Sequence, residues 1–145
     1  MGSEYKGKKL GNHGNIAVYS FQAIKHFTTG DGGMLTIKNN KLLKKAKRLR
    51  WFGIDREGKQ KGTWENDVFE TGYKYQMTDI AATLGYDSLL DFNKILNHRR
   101  KIFKIYLDKL SKNKNIICIN DDDKKKYHSA WLFTIALEKK DFLQK

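Results

Sequence analysis

One cysteine, Cys118, is all that 145 residues contain, so no internal disulfide can form and stability must come from buried apolar surface. Cys118 lies inside the apolar run "IICI" and reads as a small buried hydrophobe. No uninterrupted apolar stretch is long enough to cross a bilayer, and no charged-then-apolar leader opens the chain. Neither a membrane span nor a secretory signal is therefore indicated, and a cytoplasmic protein with no membrane partner is expected. Acidic residues are scarce, 16 against 29 Lys and Arg, for a formal net charge of +13. Such a surplus invites a nucleic-acid reading. The distribution argues against it: lysines far outnumber arginines and are spread along the whole chain, whereas phosphate grips favour arginine forks and interleaved aromatics. No nucleic-acid partner is expected. Internal repeats and low-complexity linkers are also lacking, so a domain-sized α/β unit is the starting expectation.

What is present is a succession of strand-like and helix-like runs. Turn chemistry at Gly7, Gly11 and Gly14 leads into a strand from Ile16 to Phe21. After the "TTGDGG" turn, "MLTI" reads as a second strand, ended by Asn39 and Asn40. Leu42, Leu43, Ala46, Leu49 and Phe52 then recur at helical spacing, with Asn39 or Asn40 as cap, Gly53 as stop and a strongly basic outer face. Residues Asp55 to Thr71 show no sustained period and read as an irregular excursion, a candidate active-site or interface loop. Thr78 or Asp79 can cap a helix through "DIAATLGY". A longer helix is predicted from about Leu89 to Leu110, with Phe92, Ile95, Leu96, Phe103, Tyr106, Leu107 and Leu110 on one side. Two more strands, "IICI" and "SAWLFTIAL", flank the solvated loop "NDDDKKKYH", and "EKKDFLQK" reads as the opening of another helix. Asp121, Asp122 and Asp123 lack the alternation, glycine and distal Glu of a calcium loop, so no metal site is expected.

Lys25 stands between the first strand and the glycine-rich turn. A nucleophilic lysine must be held on rigid structure and kept from simply solvating its ammonium, because only the neutral amine attacks a carbonyl. A strand end followed by Gly30, Gly32 and Gly33 meets that need and lets backbone approach a ligand. Ser20 could donate its hydroxyl to a phosphate near the same point. On spacing alone Lys25 reads first as a surface charge and the glycines as a plain turn, and the functional reading is only suggested.

The stretch "YSFQAIKHFTTGDGGML" resembles the "SF, three residues, K, two residues, TTGEGG" signature of the DegT/StrS family of pyridoxal-phosphate-dependent nucleotide-sugar aminotransferases, with Asp31 where Glu is usual. The flanking runs "AKRLRWFGIDR", "WENDVFETGYKYQMTDIAATLG" and "HRRKIFKIYLDKL" agree with it in order. The resemblance implies a fragment of a fold-type I aminotransferase: residues 1–88 the C-terminal part of the cofactor-binding large domain and its mostly parallel sheet, 89–145 the connecting helix and truncated start of the small domain. It implies that Lys25 forms a Schiff base with pyridoxal phosphate and then serves as general base and acid of a proton shift; relatives that became dehydratases carry His there. Ser20 matches the serine that hydrogen-bonds the cofactor phosphate. Lys74 matches a position, often Asn, that reaches the neighbouring subunit's cofactor phosphate across a homodimer interface, with Tyr73 and Tyr75 as interface packing.

The resemblance also implies what lies elsewhere. Family members are more than twice this long, and their N-terminal half carries the phosphate-cradling turn, the aromatic that stacks on the pyridine ring and the Asp that pairs with its nitrogen. Met1 accordingly reads as an internal methionine used as a start, or the edge of a broken gene. Two functions are expected. One is amino transfer from an amino acid, with glutamate as donor, to a keto group of a nucleotide-linked sugar, complete only with the missing sequence. The other is a catalytically inert remnant acting at most as an interaction or pseudo-subunit protein.

Overall fold

The computed structural model describes residues 1–60, 68, 70–119 and 125–137. Near the N-terminus Lys6 and Gly7 both adopt left-handed backbone (φ 49° and 72°), folding Glu4–Tyr5 (β1) back on Lys8–Lys9 (β2). A 3-10 turn, Leu10–Asn12, leads to Ile16–Ser20 (β3), which pairs antiparallel with Gly33–Ile37 (β4). Asn39 accepts the Leu42 N–H at 3.0 Å and starts Asn40–Leu49 (α1). Arg56–Gln60 (α2) follows, and Thr78 caps Asp79–Leu90 (α3) by accepting the Ala81 N–H at 3.2 Å. Phe92–Leu110 (α4) is the longest element. Ile116–Ile119 (β5) pairs antiparallel with Thr134–Leu137 (β7), and Lys126–Tyr127 (β6) pairs with β1.

The long helix starts later than its apolar spacing predicts. Asp91, at φ −92° and ψ −1°, separates α3 from α4, so Leu89 and Leu90 finish the first helix instead of opening the second. Phe52 leaves the face of α1 because the chain turns left-handed there and at Gly53. Gly53 is obligatory: a Cβ would stand 1.7 Å from the Glu70 carbonyl oxygen. Every ladder among the described residues is antiparallel, where a parallel sheet was expected. For β3 and β4 the reason is local. Phe21 N–H donates to the Gly32 carbonyl and Thr29 N–H to the Phe21 carbonyl, so the chain returns along the strand it has just left. The "SAWLFTIAL" strand is shortened to β7 because Ala130 takes a left-handed φ of 57°. Cys118 alternates with Ile117 and Ile119 along β5 and is half-buried, less than its apolar setting predicts. Asp121 to Asp123, Trp64, Phe69 and the "EKKDFLQK" run lie outside the described residues.

The core is small. Phe21 and Phe27 meet edge-to-face at 4.5 Å and pack with Phe92 and Leu96 of α4, with Tyr19 alongside. Gly85 of α3 brings that helix against the same group, since a Cβ there would lie 2.8 Å from the Thr29 methyl and 3.3 Å from the Phe27 ring. Farther along α4, Phe103 and Tyr106 pack on Phe133, and Phe103 also meets His128. Arg100 ties the N-terminal residues to the segment around His128. Its guanidinium donates to the carbonyls of Gly2 and His128, each at 3.0 Å, and lies 3.4 Å over the Tyr127 ring.

Much apolar surface is left outside this core. Val18 is 78% exposed, and α3, whose apolar side chains are not confined to one face, leaves Ile80 79%, Tyr86 70% and Leu90 69% exposed. A helix of that character is ordinarily covered. Light-scattering chromatography over a range of concentrations should therefore show concentration-dependent oligomers that bind a hydrophobic dye. A sharp, concentration-independent monomer peak with little dye uptake would contradict the exposure.

His26 is 6% exposed, and among the described residues its Nε2 finds no hydrogen-bond partner. Burial lowers its pKa from the ordinary 6.5, and the nearby Arg99 and Arg100 charges act in the same direction, while a hydrogen bond with the Ala130 backbone opposes them. The unfolded chain thus takes up this proton before the folded one. The resulting stability is present above about pH 6.5 and is lost as pH falls through the folded pKa. Urea midpoints at about pH 7.5 and about pH 5 should fall more steeply for the wild type than for His26→Asn. Equal pH dependence in the two proteins would assign the effect to other groups.

Candidate active site around Lys25

The turn from Phe21 to Gly32 is fastened from within. The Phe21 carbonyl accepts both the Thr29 N–H and the Thr28 hydroxyl at 3.0 Å, and Thr28 Oγ1 accepts the Gly30 N–H at 3.0 Å. Thr29 Oγ1 donates to the Asp31 carbonyl at 2.7 Å. Thr28 N–H donates to Ser88 Oγ at 3.2 Å, which ties the turn to α3. The glycines serve this geometry. Gly30 and Gly32 have φ of 83° and 140°, and a Cβ on Gly33 would stand 2.7 Å from the Tyr19 carbonyl oxygen. Their role in the structure is to close the turn tightly.

Inside this frame Lys25 N–H donates to the Gln22 carbonyl at 2.9 Å, and the half-buried lysine side chain points into a cavity of ≈ 200 Å³. Tyr19, Ser20, His26, Ser129 and Trp131 share its walls. Sequence reasoning placed Lys25 and Ser20 together, and the structure does bring both to one cavity. Ser20 is exposed, its Oγ accepting only a long 3.4 Å bond from the Gln22 N–H. Lys25 Nζ stands 3.1 Å from the centroid of the Trp131 ring, and Trp131 Nε1–H donates to the Ile24 carbonyl at 3.1 Å. No carboxylate lines the cavity among the described residues.

Lys74 sits elsewhere. It is exposed and pairs across an isolated antiparallel bridge with Trp51, on a segment stitched to the end of α1 by Tyr73 N–H to the Leu49 carbonyl at 2.7 Å and Tyr75 N–H to the Arg50 carbonyl at 2.9 Å. Arg48 reinforces the same junction through an ion pair with Glu70 at 3.0 Å. Tyr73 and Tyr75 stack at 5.0 Å with planes 11° apart, both exposed. Lys74 is thus absent from the walls of the Lys25 cavity. The sequence marks Trp131 only as part of a strand, because nothing in "SAW" signals the left-handed Ala130 that precedes it. His26 had a signal that could have been used, its position beside the lysine.

Comparison with known proteins gives a consistent answer. The family model described as the DegT/DnrJ/EryC1/StrS aminotransferase family matches residues 1–145. The UDP-4-amino-4,6-dideoxy-N-acetyl-beta-L-altrosamine transaminase of Campylobacter jejuni serotype O:23/36 is 36% identical over 145 residues, 100% of this chain and 37% of its own length. Helicobacter pylori PseC, an aminotransferase involved in the biosynthesis of pseudoaminic acid, superposes with a TM-score of 0.85 at 28% identity, covering 99% of this chain and 37% of that one. Spr1654 of Streptococcus pneumoniae, described as a sugar aminotransferase and solved in its PLP form, gives a TM-score of 0.79 at 31% identity, covering 94% of this chain and 35% of that one. The chain therefore spans little more than a third of the length of these relatives. With a match over its whole length and the lysine and glycine turn in place, the chain belongs to the DegT/DnrJ/EryC1/StrS aminotransferase family.

Proposed function

We propose that this chain supplies the reactive lysine for a pyridoxal-phosphate-dependent transfer of an amino group, from an amino acid with glutamate as donor, to a keto group of a nucleotide-linked sugar. The observation that carries the reading is the meeting of Lys25 and Ser20 in one cavity at the end of a fastened hairpin. The family match and the nucleotide sugar named for the Campylobacter relative support it. Residues 1–88 are taken as part of a cofactor-binding domain and 89–145 as a connecting helix with the start of a second. The working protein is a homodimer whose remaining sequence lies outside this chain.

The donor set suits the cofactor in part. An aldehyde needs a primary amine, which Lys25 offers, and a phosphate needs donors, of which the Ser20 hydroxyl is one. When bound, pyridoxal phosphate supplies an electron sink. Lys25 Nζ would hold the group and, once displaced from it as a neutral amine, would take up and return the proton that moves during amino transfer. Ser20 Oγ would donate to the phosphate and orient it. Lys74, exposed and remote from this cavity, is placed in the proposal at the phosphate of the second subunit.

The absence of a carboxylate from the cavity walls among the described residues favours a second reading for the chain in isolation, an inert interaction or pseudo-subunit protein. Without an acidic partner for the pyridinium nitrogen the electron sink is weak.

Two measurements separate these readings. Supplied with the rest of a family-length sequence, the protein should take up pyridoxal phosphate with near-visible absorption, and borohydride reduction followed by peptide mapping should place the label on Lys25. Lys25→Ala should abolish it, Ser20→Ala should weaken cofactor affinity about 10- to 100-fold through loss of one bond to a charged group, and a label on any other lysine would sink the assignment. The 145-residue chain alone should show no turnover above its Lys25→Ala variant, even with excess cofactor and glutamate. Activity there would rule out the inert reading.

A further inference from the structure

We propose that Trp131 is a positioning residue for Lys25, its indole face holding the lysine amine inside the cavity while its N–H fixes the turn that carries it. Two consecutive residues of the turn are engaged by Trp131. Ile24 accepts the indole N–H at 3.1 Å, and Lys25 Nζ lies 3.1 Å from the ring centroid.

The segment itself is firmly placed. Ala130 is buried in a left-handed conformation that an alanine keeps only where its surroundings over-determine it. Those surroundings are visible: Ser129 N–H donates to Ser3 Oγ at 3.1 Å, Ala130 N–H to His128 Nδ1 at 3.0 Å, and the His128 carbonyl accepts from Arg100. Trp131 therefore cannot drift away from Lys25 without breaking contacts on two other elements.

The choice of an aromatic face has a chemical consequence. An ammonium in a half-buried cavity needs an electrostatic partner, and the walls offer no carboxylate among the described residues. A ring quadrupole attracts the ammonium and not the neutral amine, and more weakly than a buried carboxylate would. The amine is thereby kept in place by a contact weaker than an ion pair. This inference rests on Lys25 being the reactive lysine.

The test uses the 145-residue chain without cofactor. Trace reductive methylation with formaldehyde and cyanoborohydride, read by peptide mass mapping, gives the labelling of Lys25 relative to the exposed Lys104 of the same molecule. In Trp131→Leu the ratio should rise about 2- to 30-fold, the range a cation–π contact spans. Trp131→Phe, which keeps a weaker ring and loses the N–H, should fall between wild type and Trp131→Leu. An unchanged ratio in Trp131→Leu, or an equal rise in both variants, overturns the proposal. If Trp131→Leu fails to fold, Trp131→Phe decides: its ratio must still exceed that of wild type, and equality overturns the proposal. Because no cofactor is present, this ratio can fail while borohydride mapping still finds Lys25, and the reverse is equally visible.

Discussion

Lys25 is held in place by the burial of two phenylalanines that bracket it. Phe21 and Phe27 lie on either side of the lysine in sequence, pack on one another and settle against Phe92 and Leu96 of α4. Each buried aromatic is worth roughly 1.5–3 kcal/mol relative to exposure. Moving the turn by a few ångströms would forfeit much of that twice over, so the hydrogen bonds from Thr28 and Thr29 to the Phe21 carbonyl refine a position that packing has already set. The lysine's reach is thus set by apolar packing on either side of it.

Arg100 plays the corresponding role for the opposite wall of the cavity. The segment 128–131 is short of regular structure, and its course depends on a guanidinium donating to the His128 carbonyl and, by a second arm, to Gly2. Lysine would be a poor replacement, since its ammonium has no planar fork to stack on Tyr127 while reaching both carbonyls. One helix thus holds both walls: its first turns seat the phenylalanines, and Arg100, farther along, seats the Trp131 segment. Register between Lys25 and Trp131 is set by the rigidity of a single helix, not by the loops that carry them.

The elements legible in the sequence were those whose periodicity is enforced by burial or by a cap. The β3–β4 hairpin, α1 with its Asn39 cap and α3 with its Thr78 cap follow from local chemistry that tertiary contacts do not override. The two-residue strands β1, β2 and β6 are too short to show a period, and β6 pairs with a strand more than a hundred residues earlier. The break at Asp91 was hidden because Leu89 and Leu90 continue the apolar spacing across it. At the site, Lys25 and Ser20 were readable because strand and turn place them. Trp131 was not, because its approach depends on the left-handed Ala130 and on distant bonds through Ser3 and Arg100.

The exposed side of α3 bears on the same site by a short route. Gly85 lies against Phe27 and Thr29, and Ser88 accepts the Thr28 N–H, so the inner side of this helix forms part of the support of the Lys25 turn. Its other side presents Ile80, Tyr86 and Leu90 to solvent. Burial of that side would lower the free energy of the helical state of α3 and, through Gly85 and Ser88, hold the Lys25 turn more firmly. A glycine makes the coupling direct, because with no side chain to rearrange, the helix backbone and the aromatic ring must shift together. Covering of α3 and lysine positioning would therefore be linked by packing, with no requirement that the covering surface reach the cavity.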